Sequence, residues 1–209
     1  MPDKMNKSID AFILAGGNSS RMGFDKAALT LGGVAVIERV ADALSGIAGE
    51  VYVAGGSGEI AGLKRVPDIS GEGSPRSSLS GLYSALVHAG TDWIVVAACD
   101  MPFVTRGLFE ELASRRAGGD DAVIPRDHSG SAQPLCGLYR VEPCAEACRR
   151  ALEGDDLSLR GVLRTVETRW IDFNEFAHLP NAEKFFFNLN TPEDIASAES
   201  ILAGVGGHW

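Results

Sequence analysis

Apolar runs of strand length alternate along the chain with segments in which apolar residues recur at helical spacing. The run IDAFIL at residues 9–14 predicts a buried first strand. In residues 36–44 the apolar positions fall on one helical face, which predicts an amphipathic helix. The run DWIVVAACD at residues 92–100 has no alternation, which predicts a strand buried on both faces in the middle of a parallel sheet.

The same alternation continues to the end of the chain. Further strands are predicted at residues 50–56, 63–68, 121–125, 133–141 and 168–173. Further helices are predicted at residues 78–90, 105–119, 142–154 and 191–204, with one short helix after residue 155. Thr105 is the expected N-cap of its helix, and Pro143 is expected in the first turn of the next one.

Strands that alternate with helices predict an α/β fold with a mostly parallel, doubly wound, Rossmann-like sheet. The first half of the chain is expected to form the nucleotide-binding half of the sheet, and any mixed or antiparallel strands are expected in the middle of the chain. The 209 residues contain no internal repeat and no low-complexity linker, so a single domain over residues 1–209 is expected. Residues 1–8 and 204–209 are expected to be loose tails.

The loop after the first predicted strand contains two glycines followed by two cationic side chains. Gly16 and Gly17 follow the strand, and Arg21 and Lys26 follow within one loop. Ligands of doubly wound sheets bind beyond the carboxyl ends of the strands, and glycines allow backbone N–H groups to approach an anion there. The loop contains no G-x-G-x-x-G, and Ala27 stands where a P-loop needs Ser or Thr, so neither standard phosphate motif is present.

Two carboxylates follow predicted strands at the same kind of position. Asp100 comes directly after the most apolar strand, where it could hold Mg²⁺ against phosphate oxygens. On spacing alone, a turn or helix-capping aspartate is an equal alternative for Asp100. Asp68 ends another predicted strand and by itself could be any loop carboxylate.

Composition indicates which kinds of partner the protein would bind and which cellular compartment it would occupy. The formal net charge is −9 and there is no Lys/Arg run, which argues against a nucleic-acid-binding face. The polar N-terminus and the lack of a membrane-length apolar run predict a cytoplasmic protein that does not enter membranes. The four cysteines form no C-x-x-C pair, so free thiols in a reduced compartment are expected.

The first loop resembles the signature of nucleotidyltransferases that move a nucleoside monophosphate onto a phosphate. Within that superfamily it is most similar to the molybdenum cofactor guanylyltransferases, whose double glycine contrasts with the L-A-A-G of related cytidylyl enzymes. The matching residues are Leu14, Ala15, Gly16, Gly17, Ser19, Arg21, Met22, Gly23, Asp25, Lys26 and Leu29. The resemblance implies a sheet of the nucleotide-diphospho-sugar transferase type.

Later segments carry the resemblance through the chain in order. Cys99, Asp100 and Pro102 match a metal-binding C-D-x-P motif, and Asp68 stands where the family binds the guanine nucleotide. Ser77 and Ser78 depart from the usual Gly-Pro, which puts the shape of that loop in question. The remaining matches are an acceptor-side Q-P-L at Gln133, Pro134 and Leu135, and a closing N-x-N-T-P-E motif with Asn188, Asn190, Thr191 and Pro192.

The resemblance implies transfer of GMP from GTP to the phosphate of Mo-molybdopterin, with release of pyrophosphate and with Mg²⁺ as cofactor. Arg21, Lys26 and Asp100 would be catalytic, and Asp100 would bind the metal. GTP would contact Leu14, Ala15, Gly16, Gly17, Lys26, Asp68 and Asp100, and the acceptor would contact Gln133, Pro134, Asn188 and Asn190. Molybdoenzymes or their chaperones are possible partners.

Two alternatives stay open at this stage. One is a sister nucleotidyltransferase that uses CTP or UTP on molybdopterin or a sugar phosphate. The other is a nucleotide-binding regulator without turnover, for which the Ser77–Ser78 departure is the one hint.

Overall fold

A computed structural model describes residues 9–15, 29–55, 60, 62–69, 77–154 and 157–204. Within these ranges a seven-stranded sheet has the order β5-β4-β1-β6-β8-β7-β9, and a small two-stranded hairpin, β2-β3, stands apart from it. The strands are β1 Ile9–Leu14, β2 Thr30–Leu31, β3 Val34–Ala35, β4 Val51–Ala54, β5 Lys64–Val66, β6 Trp93–Ala98, β7 Ala122–Pro125, β8 Cys136–Arg140 and β9 Thr168–Ile171.

Strand β8 alone runs against the other six strands of this sheet. It pairs antiparallel with both β6 and β7, whereas all other neighbouring pairs are parallel. The expectation of antiparallel strands in the middle of the chain is therefore confirmed. Strand β6 is buried on both faces as predicted, with one parallel neighbour, β1, and one antiparallel neighbour, β8. Strand β8 runs antiparallel to β7 because the ten residues 126–135 between them are too few for a crossover helix.

Helices cover both faces of the sheet, as a doubly wound fold requires. They are α1 Val36–Ser45, α2 Ser78–His88, α3 Arg106–Ser114, α4 Val141–Glu153, α5 Leu159–Leu163, α6 Phe173–Phe176 and α7 Pro192–Gly204, with a 3-10 helix at Ala182–Lys184. The Thr105 cap is confirmed, since its Oγ1 accepts from the Leu108 N–H at 3.4 Å. The segment 185–190 forms no strand, and α7 includes Gly204.

The side chains of the central strands divide between two cores. Ile13 and Val95 pack with α1 and α3 on one face, and Phe12 and Val96 pack with α2 and α4 on the other. All four side chains are fully buried. Burial on both faces explains why β6, and β1 apart from Asp10, are continuous apolar runs.

A third, smaller core ties the C-terminal helix to the hairpin. Leu31 and Val36 bury against Phe103, Leu189 and Ala198. The Gly32 N–H also donates to Glu199 Oε1 at 3.0 Å. Helix α7 therefore anchors the hairpin that follows the first loop in sequence.

Cys99, Cys136, Cys144 and Cys148 are free thiols in the structure, and all are buried. Burial raises the pKa of the Cys148 thiol to about 12. No helix in the described ranges has the length and hydropathy to cross a bilayer. The expected tails, apart from Gly204, lie outside the described residues.

Gly137 in β8 tests how tightly β8 is held against β7. A Cβ built on Gly137 would lie 2.6 Å from Ile124 Cδ1 and 2.9 Å from the Val123 carbonyl oxygen, which belongs to the backbone. Gly137→Ala is expected to lower the free energy of unfolding by about 1–3 kcal/mol, as overpacking does. Chemical denaturation measures the effect. Gly118→Ala, where a Cβ meets open space, is the control, and an equal loss in both variants would contradict the tight fit.

Candidate active site

Backbone hydrogen bonds join the ends of neighbouring strands into one continuous edge. The Ala15 N–H donates to Ala54 O at 2.9 Å, and the Cys99 N–H donates to Leu14 O at 3.2 Å. The Ala98 N–H donates to Leu135 O at 2.8 Å. These bonds bring the ends of β4, β1 and β6 to the same edge as the start of β8, so segments that are distant in sequence emerge side by side.

Asp100 lies at this edge, two residues beyond β6, and is half-buried. Its carbonyl oxygen accepts from the Leu189 N–H at 2.9 Å. That bond places Asn188 and Asn190, which flank Leu189, next to the Asp100 segment. The structure thus brings together the predicted metal-binding residue and both asparagines of the closing motif.

The closing motif is also a helix start. Asp194 Oδ2 accepts from the N–H groups of Asn190 and Thr191, each at 2.8 Å. Thr191 Oγ1 in turn accepts from the Asp194 N–H at 3.1 Å, so Thr191 is the N-cap of α7. Asn188 Nδ2 donates to Phe186 O at 2.9 Å, so the amide of Asn188 has a fixed orientation.

Asp68 follows β5 at the same edge and is steadied by helix α2. The buried hydroxyl Oγ of Ser84 lies 3.4 Å from Asp68 Oδ1 and accepts from the Ile69 N–H at 2.9 Å. The same oxygen lies 2.9 Å from Ser80 O, one helical turn earlier. A hydroxyl inside α2 thereby holds the loop that carries Asp68.

Ser77 and Ser78, the departure from the Gly-Pro pattern, form the first turn of α2. Ser77 Oγ accepts from the Ser80 N–H at 3.1 Å, and Ser80 Oγ accepts from the Ser77 N–H at 2.9 Å. This reciprocal pair is a capping box. The Ser77 hydroxyl therefore stabilises the helix start, and Ser78 occupies the first helical position, where proline is also favoured.

Gln133 and Pro134 lie at the edge just before β8. The Gln133 N–H donates to Pro125 O at 2.9 Å, which fixes the segment to the end of β7. Gln133 Nε2 donates to Asp127 Oδ2 at 2.9 Å. The predicted acceptor-side residues thus stand beside β6, the strand that leads to Asp100.

The predicted first-loop residues Gly16, Gly17, Arg21 and Lys26 lie outside the described residues. The residues at the two borders of this loop are described. Leu14 is buried and Ala15 is half-buried at the end of β1. Leu29 O accepts from the Val36 N–H at 2.8 Å, which closes the hairpin after the loop.

Two side chains at the edge were missed by sequence reasoning. Ser84 holds Asp68, and Asp127 holds Gln133. The sequence D-H-S-G-S at 127–131 is typical of an Asx turn and could have indicated Asp127. Ser84 gives no such signal, because its contact depends on how α2 packs against the end of β5.

A family model described as MobA-like NTP transferase domain matches residues 11–170 of the chain. The chain belongs to this family. As a MobA-like NTP transferase, it carries a nucleotidyltransferase domain, and the matched range includes the first loop, Asp68, Asp100 and Gln133.

Curated relatives match nearly the whole chain. The probable molybdenum cofactor guanylyltransferase of Pelotomaculum thermopropionicum is 37% identical over 189 residues, which cover 89% of either protein. The molybdenum cofactor guanylyltransferase of Cereibacter sphaeroides is 35% identical over 196 residues, covering 91% of this chain and 95% of the relative.

Solved structures share the fold. Molybdopterin-guanine dinucleotide biosynthesis protein A of Archaeoglobus fulgidus superposes with a TM-score of 0.78 at 26% identity, covering 94% of this chain and 100% of the other. The 2-C-methyl-D-erythritol 4-phosphate cytidylyltransferase of Thermus thermophilus gives a TM-score of 0.65 at 20% identity, covering 94% and 99%. The MobA-like domain therefore has the nucleotidyltransferase fold predicted from its sequence.

The cap of α2 can be tested directly. Ser77→Ala removes the hydroxyl that accepts from Ser80 and is expected to lower stability by about 1 kcal/mol, whereas Ser77→Gly should cost only a few tenths. Thermal unfolding of the two variants measures the difference. Equal stability of Ser77→Ala and the parent protein would show that the hydroxyl does not stabilise the helix start.

Proposed function

We propose that this protein is a molybdenum cofactor guanylyltransferase. It transfers GMP from GTP to the terminal phosphate of Mo-molybdopterin and releases pyrophosphate. The proposal is supported by relatives that carry this name over nearly the whole chain length. The double glycine at Gly16–Gly17 favours the guanylyl branch over the cytidylyl branch.

The observation that carries the proposal is the bond between the Leu189 N–H and Asp100 O. It joins the two motifs that the resemblance assigns to metal and acceptor, although 89 positions separate Asp100 from Leu189 in sequence. The Gln133 segment joins the same edge through the bond between Ala98 and Leu135. A transferase needs both substrates at one point, and this edge supplies residues for both.

In the proposed reaction the protein aligns two anions and spreads their charge. An oxygen of the acceptor phosphate attacks the α-phosphorus of GTP, and the bond to the bridging oxygen of pyrophosphate breaks on the opposite side. The glycine backbone of the first loop, with Arg21 and Lys26, would stabilise charge on the α-phosphate and the leaving pyrophosphate. The acceptor phosphate is already anionic, so the reaction needs no nucleophilic side chain.

The residues at the edge fit a magnesium ion in the manner typical of nucleotide enzymes. Magnesium sites of this kind use one or two carboxylates together with substrate phosphates rather than a cage of protein ligands. Asp100 would supply one carboxylate, and the described ranges contain no group of three or more His, Cys, Asp or Glu side chains placed to hold a metal ion by themselves. Bound there, Mg²⁺ would act as a Lewis acid on phosphate oxygens. Asp100 would hold it, with an amide oxygen of Asn188 or Asn190 nearby.

Measurement of pyrophosphate release tests the function. The protein is mixed with Mg²⁺ and molybdenum-loaded molybdopterin, and GTP, CTP, ATP and UTP are offered separately. Release with GTP alone is expected. Release with CTP or UTP would move the protein to a sister branch, and tight nucleotide binding without release would favour a regulator. Transfer to molybdoenzymes or their chaperones stays a prediction beyond this assay.

Asp100→Asn is expected to lower kcat by about 100-fold or more, because the carboxylate that would hold the metal is lost. The melting temperature should stay close to that of the parent, since the backbone bond to Leu189 does not use the side chain. Asp92→Asn, an exposed carboxylate just before the opposite end of β6, is the matched control. Near-normal turnover by Asp100→Asn would remove Asp100 from the reaction.

A further inference from the structure

Asp127 is built into a turn that leaves one of its carboxylate oxygens for a single partner. Oδ1 accepts from the N–H groups of Ser129 and Ser131 at 2.8 and 3.0 Å and from Ser129 Oγ at 2.5 Å. Oδ2 accepts from Gln133 Nε2 at 2.9 Å. The carboxylate thus joins the turn after β7 to the side chain just before β8.

The charge on Asp127 determines which atom of the Gln133 amide, Nε2 or Oε1, faces the carboxylate. An ionised carboxylate only accepts hydrogen bonds, so it must face Nε2 and not Oε1. Partial burial raises the pKa of Asp127, but the hydrogen bonds from Ser129, Ser131 and Gln133 outweigh this and hold the pKa below its usual value. At neutral pH the side chain is therefore a carboxylate and can only accept.

The second hydrogen on Gln133 Nε2 also points to an acceptor, Ser131 O, at 3.5 Å. Among the residues that the structure describes, none donates to Gln133 Oε1. Gln133 is half-buried at the edge, so this oxygen is the part of the amide left for a ligand. The neighbouring cation does not compete for Asp127, because Arg126 Nη1 pairs with Asp172 Oδ1 at 3.2 Å and its guanidinium lies over the Trp170 ring.

We propose that Asp127 is a positioning residue that locks Gln133 with its amide oxygen outward, so that Gln133 selects an acceptor substrate carrying an N–H donor. This inference rests on the proposed function. A pterin fits the requirement, because its ring carries amino and ring N–H groups. A sugar phosphate offers hydroxyl groups instead. A hydroxyl can donate or accept, so the orientation of the Gln133 amide would affect its binding less.

The substitution Asp127→Asn is expected to reverse the orientation of the Gln133 amide while keeping the turn. The turn needs an oxygen at the Oδ1 position, so the new amide nitrogen must face Gln133. Two facing NH₂ groups cannot bond, and Gln133 must rotate its amide to present Nε2 outward. The KM for molybdopterin is expected to rise about tenfold, as for one lost hydrogen bond. The KM for GTP and kcat should change by less than about twofold if Asp127 acts only through Gln133.

A second substitution restores the polarity and gives the decisive comparison. In Asp127→Asn/Gln133→Glu, the new side-chain NH₂ at position 127 donates to one oxygen of the new carboxylate, and the other oxygen again faces outward as an acceptor. This double variant is expected to regain most of the lost affinity for molybdopterin. Gln133→Glu alone sets two carboxylates against each other and is expected to bind molybdopterin more weakly than the double variant. Asp120→Asn is the control, a turn carboxylate that accepts from the Ala117 N–H near the opposite edge.

An unchanged KM for molybdopterin in Asp127→Asn, or a double variant no better than Asp127→Asn, would overturn the proposal. The lock can also be measured in the free parent protein, which separates it from the proposed function. The Gln133 side-chain amide protons should exchange with solvent more slowly than those of an exposed glutamine, and their NMR shifts should be displaced from the exposed values, because Nε2 donates to Asp127 Oδ2. Solvent exchange and shifts like those of an exposed glutamine would refute the lock, even if pyrophosphate release from GTP succeeds. Failed release with an intact NMR signature would overturn the proposed function instead.

Discussion

The parallel pairing of β1 with β6 is the constraint on which the site depends. Ile9 pairs with Trp93 and Leu14 with Ala98, so the two strands start and end at the same level. Burial fixes this register, because a slip by one residue would exchange the side chains that face the two cores. With the register fixed, Ala15 and Asp100 leave the sheet at the same edge. The packing of the two strands in the core therefore sets Ala15, where the first loop begins, beside the segment that carries the candidate metal ligand Asp100.

The candidate residues beyond these two strands, Asp68, Gln133 and Asn190, are each held by a local hydrogen-bonding contact. Ser84 steadies Asp68, Asp127 orients Gln133, and Asp194 accepts from the backbone at Asn190. Capping boxes and Asx turns of this kind satisfy backbone donors that would otherwise need water. Pre-oriented polar groups lose less freedom when a ligand binds, so these turns and caps favour tighter and more selective binding.

The sequence could predict the parts of the molecule that burial dictates. The long apolar runs at β1 and β6 predicted their strands, and the residue type after each run predicted the edge. Strand β8 was identified as a strand, but its direction depends on the short connection after Pro125, which hydrophobic pattern alone does not reveal. The hairpin at Thr30–Ala35 and helix α6 are too short to carry a periodic signal. Ser84 contacts Asp68 only once α2 has packed against the end of β5, so no spacing in the sequence marked its role. The D-H-S-G-S sequence at 127–131 indicates the turn at Asp127 but not the contact with Gln133.

The order of the strands gives the proposed reaction a direction along the edge. Asp68 follows β5, and β5 is three strand spacings from β6, or about 14 Å at the usual separation of paired strands. Gln133 precedes β8, which lies on the other side of β6. A nucleotide with its base near Asp68 and its α-phosphate near Asp100 would lie across the ends of β4 and β1. An acceptor bound by Gln133 would then approach Asp100 from the opposite side.

An in-line transfer needs the attacking oxygen and the leaving pyrophosphate on opposite sides of the α-phosphorus. With the proposed nucleotide and acceptor regions on either side of Asp100, the sheet edge would supply that arrangement.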